Sequence, residues 1–401
     1  MYDAIIVGAR CAGAATALLL TRKGHRVLLV DKAAFPSDTI SGHFILNPGV
    51  KRLKAWGLLD KVLASNCPPI TKWATNLGDF TLRAEIPLEE GIPSSIAPRR
   101  IILDQVLIDA AVEAGVEFRE RFSVTELMTE KDQVIGIRGR TDKRQMVTEQ
   151  GRIVIGADGK HSNIAQMVKA PIYQERPSLC CWYMTYWSGF PIEGNETHWR
   201  HHRMITTFPT NNGLVLTAVG WPHNEFHRFR SNLEANYLQT FELFPSLHEK
   251  IAYAKREDRF YGMADLPNFF RKPFGPGWAL VGDAGHHKDP LGAYGISDAF
   301  RDAELLAEAV DKGLSGQQDL EAALSEYEQR RNARAMPDYE VNCRLAALEG
   351  WNTPDFIRLR AALQTNEVDR IRYFKVIAKA LSPNEFYTPE NIKRILNASC
   401  Q

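Results

Sequence analysis

The first thirty residues alternate between short apolar runs and a small-residue segment. Residues 4–7 are an apolar, β-branched run too short for a helix, which predicts a buried parallel strand. Gly8 marks a tight turn, and residues 13–20 predict the first turns of a helix. Residues 26–30 form a second apolar strand that ends at Asp31. This pattern predicts a β-α-β unit at the start of the chain.

The spacing Gly8, Gly13, Ala17 favours a phosphate site in that unit. A helix N-terminus directs unpaired N–H groups and partial positive charge at a pyrophosphate, and Asp31 comes 23 residues after Gly8, within reach of a ribose hydroxyl. Arg10 stands where the dinucleotide fingerprint has glycine. Two orientations are open for it: along the pyrophosphate as an added cation, or out to solvent. The alternative for the whole stretch is an ordinary turn without a nucleotide.

Later patterns divide the chain into three regions. Apolar strands recur at 152–156 and 278–281, an antiparallel meander is expected over 124–147, and alternating, aromatic-rich strands fill 179–265. Helical periodicity dominates from 297 onward. We predict an α/β composite with a discontinuous Rossmann-like domain (1–75, 98–178 and 266–335), an inserted antiparallel β-sheet substrate domain (76–97 and 179–265) and a C-terminal helical region (336–401).

The composition argues against several classes of partner and location. With 49 Lys plus Arg against 48 Asp plus Glu, no excess charge points to nucleic acid. No apolar run approaches the ~20 residues of a transmembrane helix. A strand starting at residue 3 leaves no room for a signal or transit peptide, and we expect a cytoplasmic setting. The expected oligomeric state is a monomer or a homodimer. The six cysteines show neither metal-site nor disulfide spacing.

Three strand ends carry the candidate chemistry: the opening turn, Asp158-Gly159, and the stretch from Gly282 to Ser297. In an open α/β sheet, ligands bind at the carboxyl ends of strands. Asp283 can accept hydrogen bonds from a polyol chain. Pro290, Gly292 and Gly295 let the backbone run close beneath a flat ring, and the N–H groups opening the next helix would meet negative charge there.

These three motifs, in this order, resemble the group A flavoprotein monooxygenases of the para-hydroxybenzoate hydroxylase type, with more distant similarity to geranylgeranyl reductases and flavin-dependent halogenases. The resemblance implies FAD, with NADH or NADPH as a transient reductant. Ser297 departs from the usual Asn, and Ala165 stands where an Arg often closes the second motif. The halogenase run Trp-x-Trp-x-Ile-Pro is absent from the sequence, which argues against halogenation.

The resemblance assigns roles by position. It places adenosine on the opening turn and Asp31, Arg100 near the ribityl–pyrophosphate region, Asp158-Gly159 at FAD and NAD(P)H, Asp283 at the ribityl chain, and the amides of Ile296 and Ser297 at the flavin N1/O2 edge. The predicted cofactor-binding residues are Gly8, Ala9, Arg10, Cys11, Ala12, Gly13, Asp31, Lys32, Arg100, Asp158, Gly159, Gly282, Asp283, Pro290, Gly292, Gly295, Ile296 and Ser297.

Two residues are candidates for catalysis. His43 follows the second strand in a loop that in the resembled family runs near the flavin, and Tyr294 lies inside the third motif. Packing is the alternative for each. His198, His201 and His202 are expected at the surface, one of His286 and His287 is expected to pack structurally, and no metal site is predicted.

The resemblance implies hydroxylation of an aromatic or other electron-rich small molecule by O₂ through a C4a-hydroperoxyflavin. The aromatic-rich sheet would then roof the flavin ring, although packing alone also explains it. The alternatives are a flavin-dependent reductase of prenyl-type double bonds and a catalytically silent flavin-binding protein.

Overall fold

The structure is a computed structural model that describes residues 1–349 and 353–398. The strands are β1 (Tyr2–Val7), β2 (Val27–Val30), β3 (Ile45–Leu46), β4 (Pro69–Ile70), β5 (Lys72–Asn76), β6 (Thr81–Glu85), β7 (Ser95–Ile96), β8 (Glu117–Arg119), β9 (Ser123–Glu130), β10 (Gln133–Arg140), β11 (Met146–Gly156), β12 (Ile172–Arg176), β13 (Cys180–Ser188), β14 (Asn195–Arg200), β15 (Arg203–Pro209), β16 (Val215–Pro222), β17 (Lys255–Arg256), β18 (Tyr261–Met263), β19 (Asn268–Arg271), β20 (Phe274–Gly275), β21 (Trp278–Leu280) and β22 (His286–His287).

The helices follow the same order. They are α1 (Cys11–Arg22), α2 (Asn47–Ala55), α3 (Leu59–Leu63), α4 (Arg100–Glu113), α5 (Asn163–Met167), α6 (Phe226–Ser231), α7 (Leu233–Glu242), α8 (Pro245–Ala252), α9 (Gly295–Leu314), α10 (Leu320–Ala346), α11 (Pro354–Ala362), α12 (Glu367–Ile377), α13 (Pro383–Phe386) and α14 (Pro389–Ala398). Within the described residues, none of these helices has the length and apolar character needed to span a bilayer.

A mostly parallel sheet forms the base of the molecule. Its order is β20-β21-β11-β1-β2-β8, and β21, β11, β1, β2 and β8 run parallel. β1 is central and fully flanked, which explains its near-continuous apolar sequence. Helices α1, α4 and α9 pack together on one face. The other face is covered by the meander β9–β10–β11, whose last strand runs on into the parallel sheet.

A second sheet has the order β17-β13-β16-β15-β14-β5-β6, with β18 also paired to β13. Successive side chains on a strand face opposite sides. Cys181, Tyr183, Trp187 and Trp221 therefore pack outward in a core with helices α6–α8. The opposite face, with Trp182, Met184 and Phe208, packs in another core with the C-terminal helices.

This architecture confirms the predicted fold class, a Rossmann-like α/β sheet with an antiparallel sheet and a helical C-terminal region. Two predicted boundaries need correction. The boundary at 75/76 falls inside β5, which pairs with β14 and belongs to the antiparallel sheet. The boundary at 335/336 falls inside α10, which continues through Pro337. Residues 350–352 and 399–401 of the predicted C-terminal region lie outside the described residues.

Candidate active site

The opening turn has the close backbone approach that its glycines predict. Gly8 has a φ of +106°, and a Cβ on Gly13 would lie 1.7 Å from the Gly8 carbonyl oxygen. Helix α1 begins at Cys11 without a side-chain cap on its first N–H groups. Both features suit an anion above the turn, because uncapped helix N–H groups are ready donors to phosphate.

Asp31 ties the turn to the loop that follows β2. Its Oδ2 accepts from the Ala9 N–H at 2.7 Å and its Oδ1 from the Ala33 N–H at 2.7 Å. Asp31 and the neighbouring Lys32 both border the cavity described below. The carboxylate therefore shapes the turn, and its contact with a ribose stays a prediction.

Arg10 does not turn out to solvent; its guanidinium borders the cavity, and its contact with a pyrophosphate stays a prediction. Its guanidinium donates to Asp104 Oδ2 at 2.7 Å and to the Ser37 carbonyl at 3.3 Å. Arg100 binds both oxygens of the same buried carboxylate, at 2.9 and 3.0 Å, and the Cys11 thiol donates to it at 3.3 Å. Two arginines thus share one carboxylate, which leaves one net positive charge beside the start of α1.

Asp158 has a structural task in the second motif. Its Oδ1 accepts from the Ser162 hydroxyl at 2.5 Å and its Oδ2 from the Asn163 N–H at 2.7 Å, at the start of α5. Burial raises the pKa of this carboxyl, although these bonds oppose the shift. Asp158 and Gly159 line the cavity, and their contact with FAD or NAD(P)H stays a prediction.

The third motif forms a tight loop and then α9. Gly282 and Ala293 have left-handed backbones, with φ of +63° and +55°. Asp283 is exposed to the cavity, and no donor within the described part of the chain hydrogen-bonds its carboxylate. No side chain caps the N-terminus of α9, where Ile296 and Ser297 line the cavity. Here the structure offers an acceptor and a set of donors to a ligand.

Two residues that the sequence did not single out hold this loop. The Asn342 amide donates to the Asp289 carbonyl and accepts from the Gly292 N–H, both at 2.9 Å. The Asp289 carboxylate accepts from the Cys180 thiol at 2.9 Å and from the Trp182 indole N–H at 3.2 Å. The Asp289 side chain therefore joins the loop to the antiparallel sheet. Burial raises its pKa to about 6.

A buried charge cluster lies beside the loop. Lys288 and Arg301 both pair with Asp298, and Arg301 also reaches Asp302 at 2.7 Å. Burial would raise the pKa of Asp298, but the two cations hold it well below its usual value. His286 lies 3.2 Å from Asp302, and burial lowers the pKa of its imidazole, so it stays neutral near pH 7.

Both candidate catalytic residues line the cavity. The His43 Nδ1–H donates to the Ala97 carbonyl at 3.1 Å, so Nε2 accepts from the Tyr186 hydroxyl at 3.0 Å. Burial lowers the pKa of His43 to about 3, which keeps the ring neutral. Two ammonium groups lie near the Tyr294 ring, Lys288 Nζ at 5.3 Å and Lys379 Nζ at 4.9 Å from its centroid, and burial raises the pKa of its hydroxyl.

One continuous cavity of about 2580 Å³ joins these parts. It is lined by every predicted cofactor-binding residue except Ala9, Gly13 and Gly282. Those three lie behind its wall: a Cβ on Gly282, for example, would lie 2.7 Å from the Ala12 Cβ. Their contact with FAD stays a prediction.

Two other expectations need correction. His198 is buried, not at the surface, because it sits on the outward face of β14 beneath α8 with its Nε2 3.2 Å from Glu196. The aromatic-rich sheet does not face the cavity as a whole: Trp221 and Trp187 point to the outward core, since only alternate residues face inward. No group of three or more potential metal ligands occurs in the part of the chain that the structure describes.

The two uncapped helix ends, the open Asp283 carboxylate and the close glycine contact fit FAD. They define a dinucleotide-binding flavoprotein with a chamber attached to its cofactor cleft. The family model described as FAD binding domain matches residues 1–338, and the chain belongs to this family. It is an FAD-dependent oxidoreductase, and the resemblance stated from the sequence is confirmed.

Known relatives differ in their chemistry. A digeranylgeranylglycerophospholipid reductase of Methanosarcina acetivorans is 26% identical over 342 residues, which cover 82% of this chain and 80% of the relative. Squalene monooxygenase SE2 of Panax ginseng is 25% identical over 320 residues, or 76% of this chain and 57% of the relative. The myxobacterial chondrochloren halogenase CndH shares the fold, with a TM-score of 0.79 at 19% identity, covering 99% of this chain and 96% of that one.

Proposed function

We propose that the protein is an FAD-dependent monooxygenase that consumes NADH or NADPH and hydroxylates an aromatic or other electron-rich small molecule. The observation that carries the proposal is the single cavity, which runs from the strand-end turns to an aromatic-rich face of the antiparallel sheet. Its volume of about 2580 Å³ exceeds the roughly 300–1,000 Å³ typical of one small-ligand site. A cofactor and a second molecule can share it.

The reaction balances without a further reagent. NAD(P)H and a proton supply two electrons, one atom of O₂ enters a C–H bond of the substrate as a hydroxyl, and the other leaves as water. FAD, when bound, accepts the hydride and activates O₂. The chain's own part is to bind the cofactor and substrate and to exclude water from the reacting atoms. Trp182, Met184 and Phe208, all buried, form an apolar wall suited to that exclusion.

His43 and Tyr294 are proposed to contact the substrate or the flavin ring. A pKa of about 3 makes His43 a poor base near neutral pH. With Nε2 accepting from Tyr186 and Nδ1 donating to Ala97, its ring is fixed in one tautomer. We therefore propose that His43 orients neighbouring groups at the cavity wall. We also propose that no proton passes from the site to solvent through a protonated His43 ring.

The test is a screen of the FAD-loaded protein against a panel of phenols, anilines, indoles and quinolones. Compounds are scored by stimulated NADH or NADPH oxidation, with O₂ uptake and H₂O₂ formation followed in parallel. We expect at least one class to stimulate NAD(P)H oxidation with matching O₂ uptake and little H₂O₂. Protein that does not retain or rebind FAD, or that shows only H₂O₂ production with every compound, contradicts the proposal.

A second candidate is a reductase of prenyl-type double bonds, favoured by the identity to the archaeal reductase. Such an enzyme transfers two electrons and two protons to a C=C bond and consumes no O₂ with substrate. Anaerobic oxidation of the reduced flavin by a prenyl substrate such as geranylgeraniol separates the candidates. The reductase reoxidises its flavin without O₂, whereas the monooxygenase does not.

A further inference from the structure

Three threonines lie side by side on the cavity face of the antiparallel sheet. Thr197 of β14 is the register partner of Thr206 on β15 and of Thr75 on β5. The Oγ1 atoms of Thr75 and Thr197 are 3.1 Å apart, and all three residues line the cavity. We call Thr75, Thr197 and Thr206 the threonine row. Asn195, two residues before Thr197 on the same strand, lines the cavity on the same face.

Part of this polar group has no protein partner. Asn195 is 5% exposed, yet its side-chain amide makes no hydrogen bond to any described residue. The Thr206 hydroxyl has no partner within residues 1–349 and 353–398 either. Thr197 reaches only the Ala74 carbonyl, at 3.5 Å, besides Thr75. A substrate that displaces water here must supply hydrogen bonds, because buried polar groups left unpaired cost binding energy.

The surroundings of the row are apolar. The other sheet residues that line the cavity are Trp73, Trp182, Met184, Trp199, Met204, Phe208, Leu216, Ala218 and Met263. None of the described sheet residues in the lining is charged. The cationic side chains of the lining come from other elements, among them Arg334 and Arg344 of α10, Arg360 of α11 and Lys379 after α12. A carboxylate placed against the row would lose its hydration without gaining a counter-ion from the sheet.

We propose that the threonine row and Asn195 form a subsite for an uncharged hydroxyl or carbonyl group of the substrate, whose apolar body lies against the surrounding aromatic wall. Hydroxyls and an amide both donate and accept, so they pair with either group. This inference rests on the proposed function, because it describes the substrate end of the same cavity. It predicts discrimination against isosteres that lack the polar group.

The experiment measures binding to the oxidised, FAD-loaded protein by calorimetry, without NAD(P)H. The probes are 2-naphthol, 2-methylnaphthalene and 2-naphthoate, which share one ring system and differ in a hydroxyl, a methyl or a carboxylate. We expect 2-naphthol to bind about tenfold more tightly than either of the others, the ratio that one net hydrogen bond of ~1.4 kcal/mol gives.

Thr206→Val and Asn195→Leu are each expected to bring the naphthol-to-methylnaphthalene ratio close to one, and Thr206→Ser to restore it. The matched control is Thr207→Val, on the same strand but on the outward face, where the threonine hydroxyl is buried and unpartnered. This variant should keep the tenfold ratio. Thermal unfolding of all four variants shows whether each one is folded.

The proposal is overturned if the wild-type protein does not bind 2-naphthol, if it prefers the methyl or carboxylate probe, or if both Thr206→Val and Asn195→Leu keep the wild-type ratio. Because binding needs neither reductant nor O₂, its outcome is separate from that of the proposed function. Substrate-dependent O₂ uptake with an unaltered ratio in the variants refutes the subsite alone. A lost ratio in variants of a protein that never consumes O₂ supports the subsite and refutes the monooxygenase.

Discussion

The two sheets contribute to the same cavity in different ways. The parallel sheet acts through its strand ends, where Gly8, Asp158 and Asp283 follow three neighbouring strands, and side chains such as Asp289 and Asn342 help to hold the loops. The antiparallel sheet acts through one of its faces, where alternate residues of β13–β16 form a wall. Strand-end chemistry is local in sequence and recognisable as motifs, whereas a face is assembled from residues scattered over more than 180 positions, from Trp73 to Met263.

The strand-end region tolerates the least change. In Gly13→Ala the new Cβ would lie 1.7 Å from the Gly8 carbonyl oxygen. Overpacking of this kind costs about 1–3 kcal/mol. We expect FAD affinity to fall by about tenfold to a hundredfold in a fluorescence-quench titration. The control is Gly24→Asn, just after α1, where no atom lies within 4 Å of the added Cβ and Asn is among the side chains that adopt a positive φ most often. Equal FAD affinity in Gly13→Ala and the wild type would show that this close approach does not matter.

The next largest effect is expected in the loop of the third motif, which Asp289 joins to the antiparallel sheet. Asn342→Leu removes both hydrogen bonds to the loop and leaves the Gly292 N–H and the Asp289 carbonyl without this partner. We expect a loss of about 2–4 kcal/mol in unfolding free energy, measured by chemical denaturation. Glu340→Gln on the same helix, which breaks only a surface ion pair with Arg176, should cost less than about 1 kcal/mol. If Asn342→Leu lowers the unfolding free energy no more than Glu340→Gln does, Asn342 does not hold the loop.

The Asp289 carboxyl makes the stability of the folded protein depend on pH. An ordinary aspartate carboxyl has a pKa of 3.8, and burial in the fold raises the pKa of this one to about 6. Between these values the folded protein binds more protons than the unfolded chain, so stability from this group falls as pH rises through about 4 to 6. The difference amounts to at most about 3 kcal/mol.

Asp289→Asn removes that titration and keeps an oxygen to accept from Trp182 and the Leu291 N–H. Relative to the wild type, the variant should therefore gain stability between pH 4.5 and pH 7.5, measured as the difference in unfolding free energy at each pH. A difference that stays constant across this range would mean that the Asp289 carboxyl keeps an ordinary pKa.

The smallest effect is expected at Arg10. Arg10→Gln leaves Asp104 paired with Arg100, which binds both of its oxygens from a buried position. Removing a partly exposed cation beside the phosphate region should weaken FAD binding about threefold, and less at high salt. Arg100→Gln should weaken it more than Arg10→Gln does, because the buried carboxylate then keeps only the partly exposed Arg10. The reverse order in parallel FAD titrations would contradict this division of roles.

The predictability of the molecule follows the same division. Residues 4–31 specified a strand, turn, helix and acid within one short segment, and the structure has β1, α1 and β2 there. The orientation of Arg10 was not predictable, because its partner Asp104 lies 94 residues away. Asn342 carried no local signal, since a polar residue within a long helix is ordinarily solvent-exposed. The threonine row required the register of β5, β14 and β15, which the sequence pattern does not contain.

The most direct test of the central claim uses the compound that best stimulates NAD(P)H oxidation in the screen. Turnover under ¹⁸O₂ in ordinary water is followed by mass spectrometry of the product and by the amounts of NAD(P)H and O₂ consumed. The account predicts one ¹⁸O atom in each product molecule, with one NAD(P)H and one O₂ used per product. A product that has gained two hydrogens and no ¹⁸O would contradict it. Unreacted substrate with H₂O₂ as the only product of O₂ would contradict it as well.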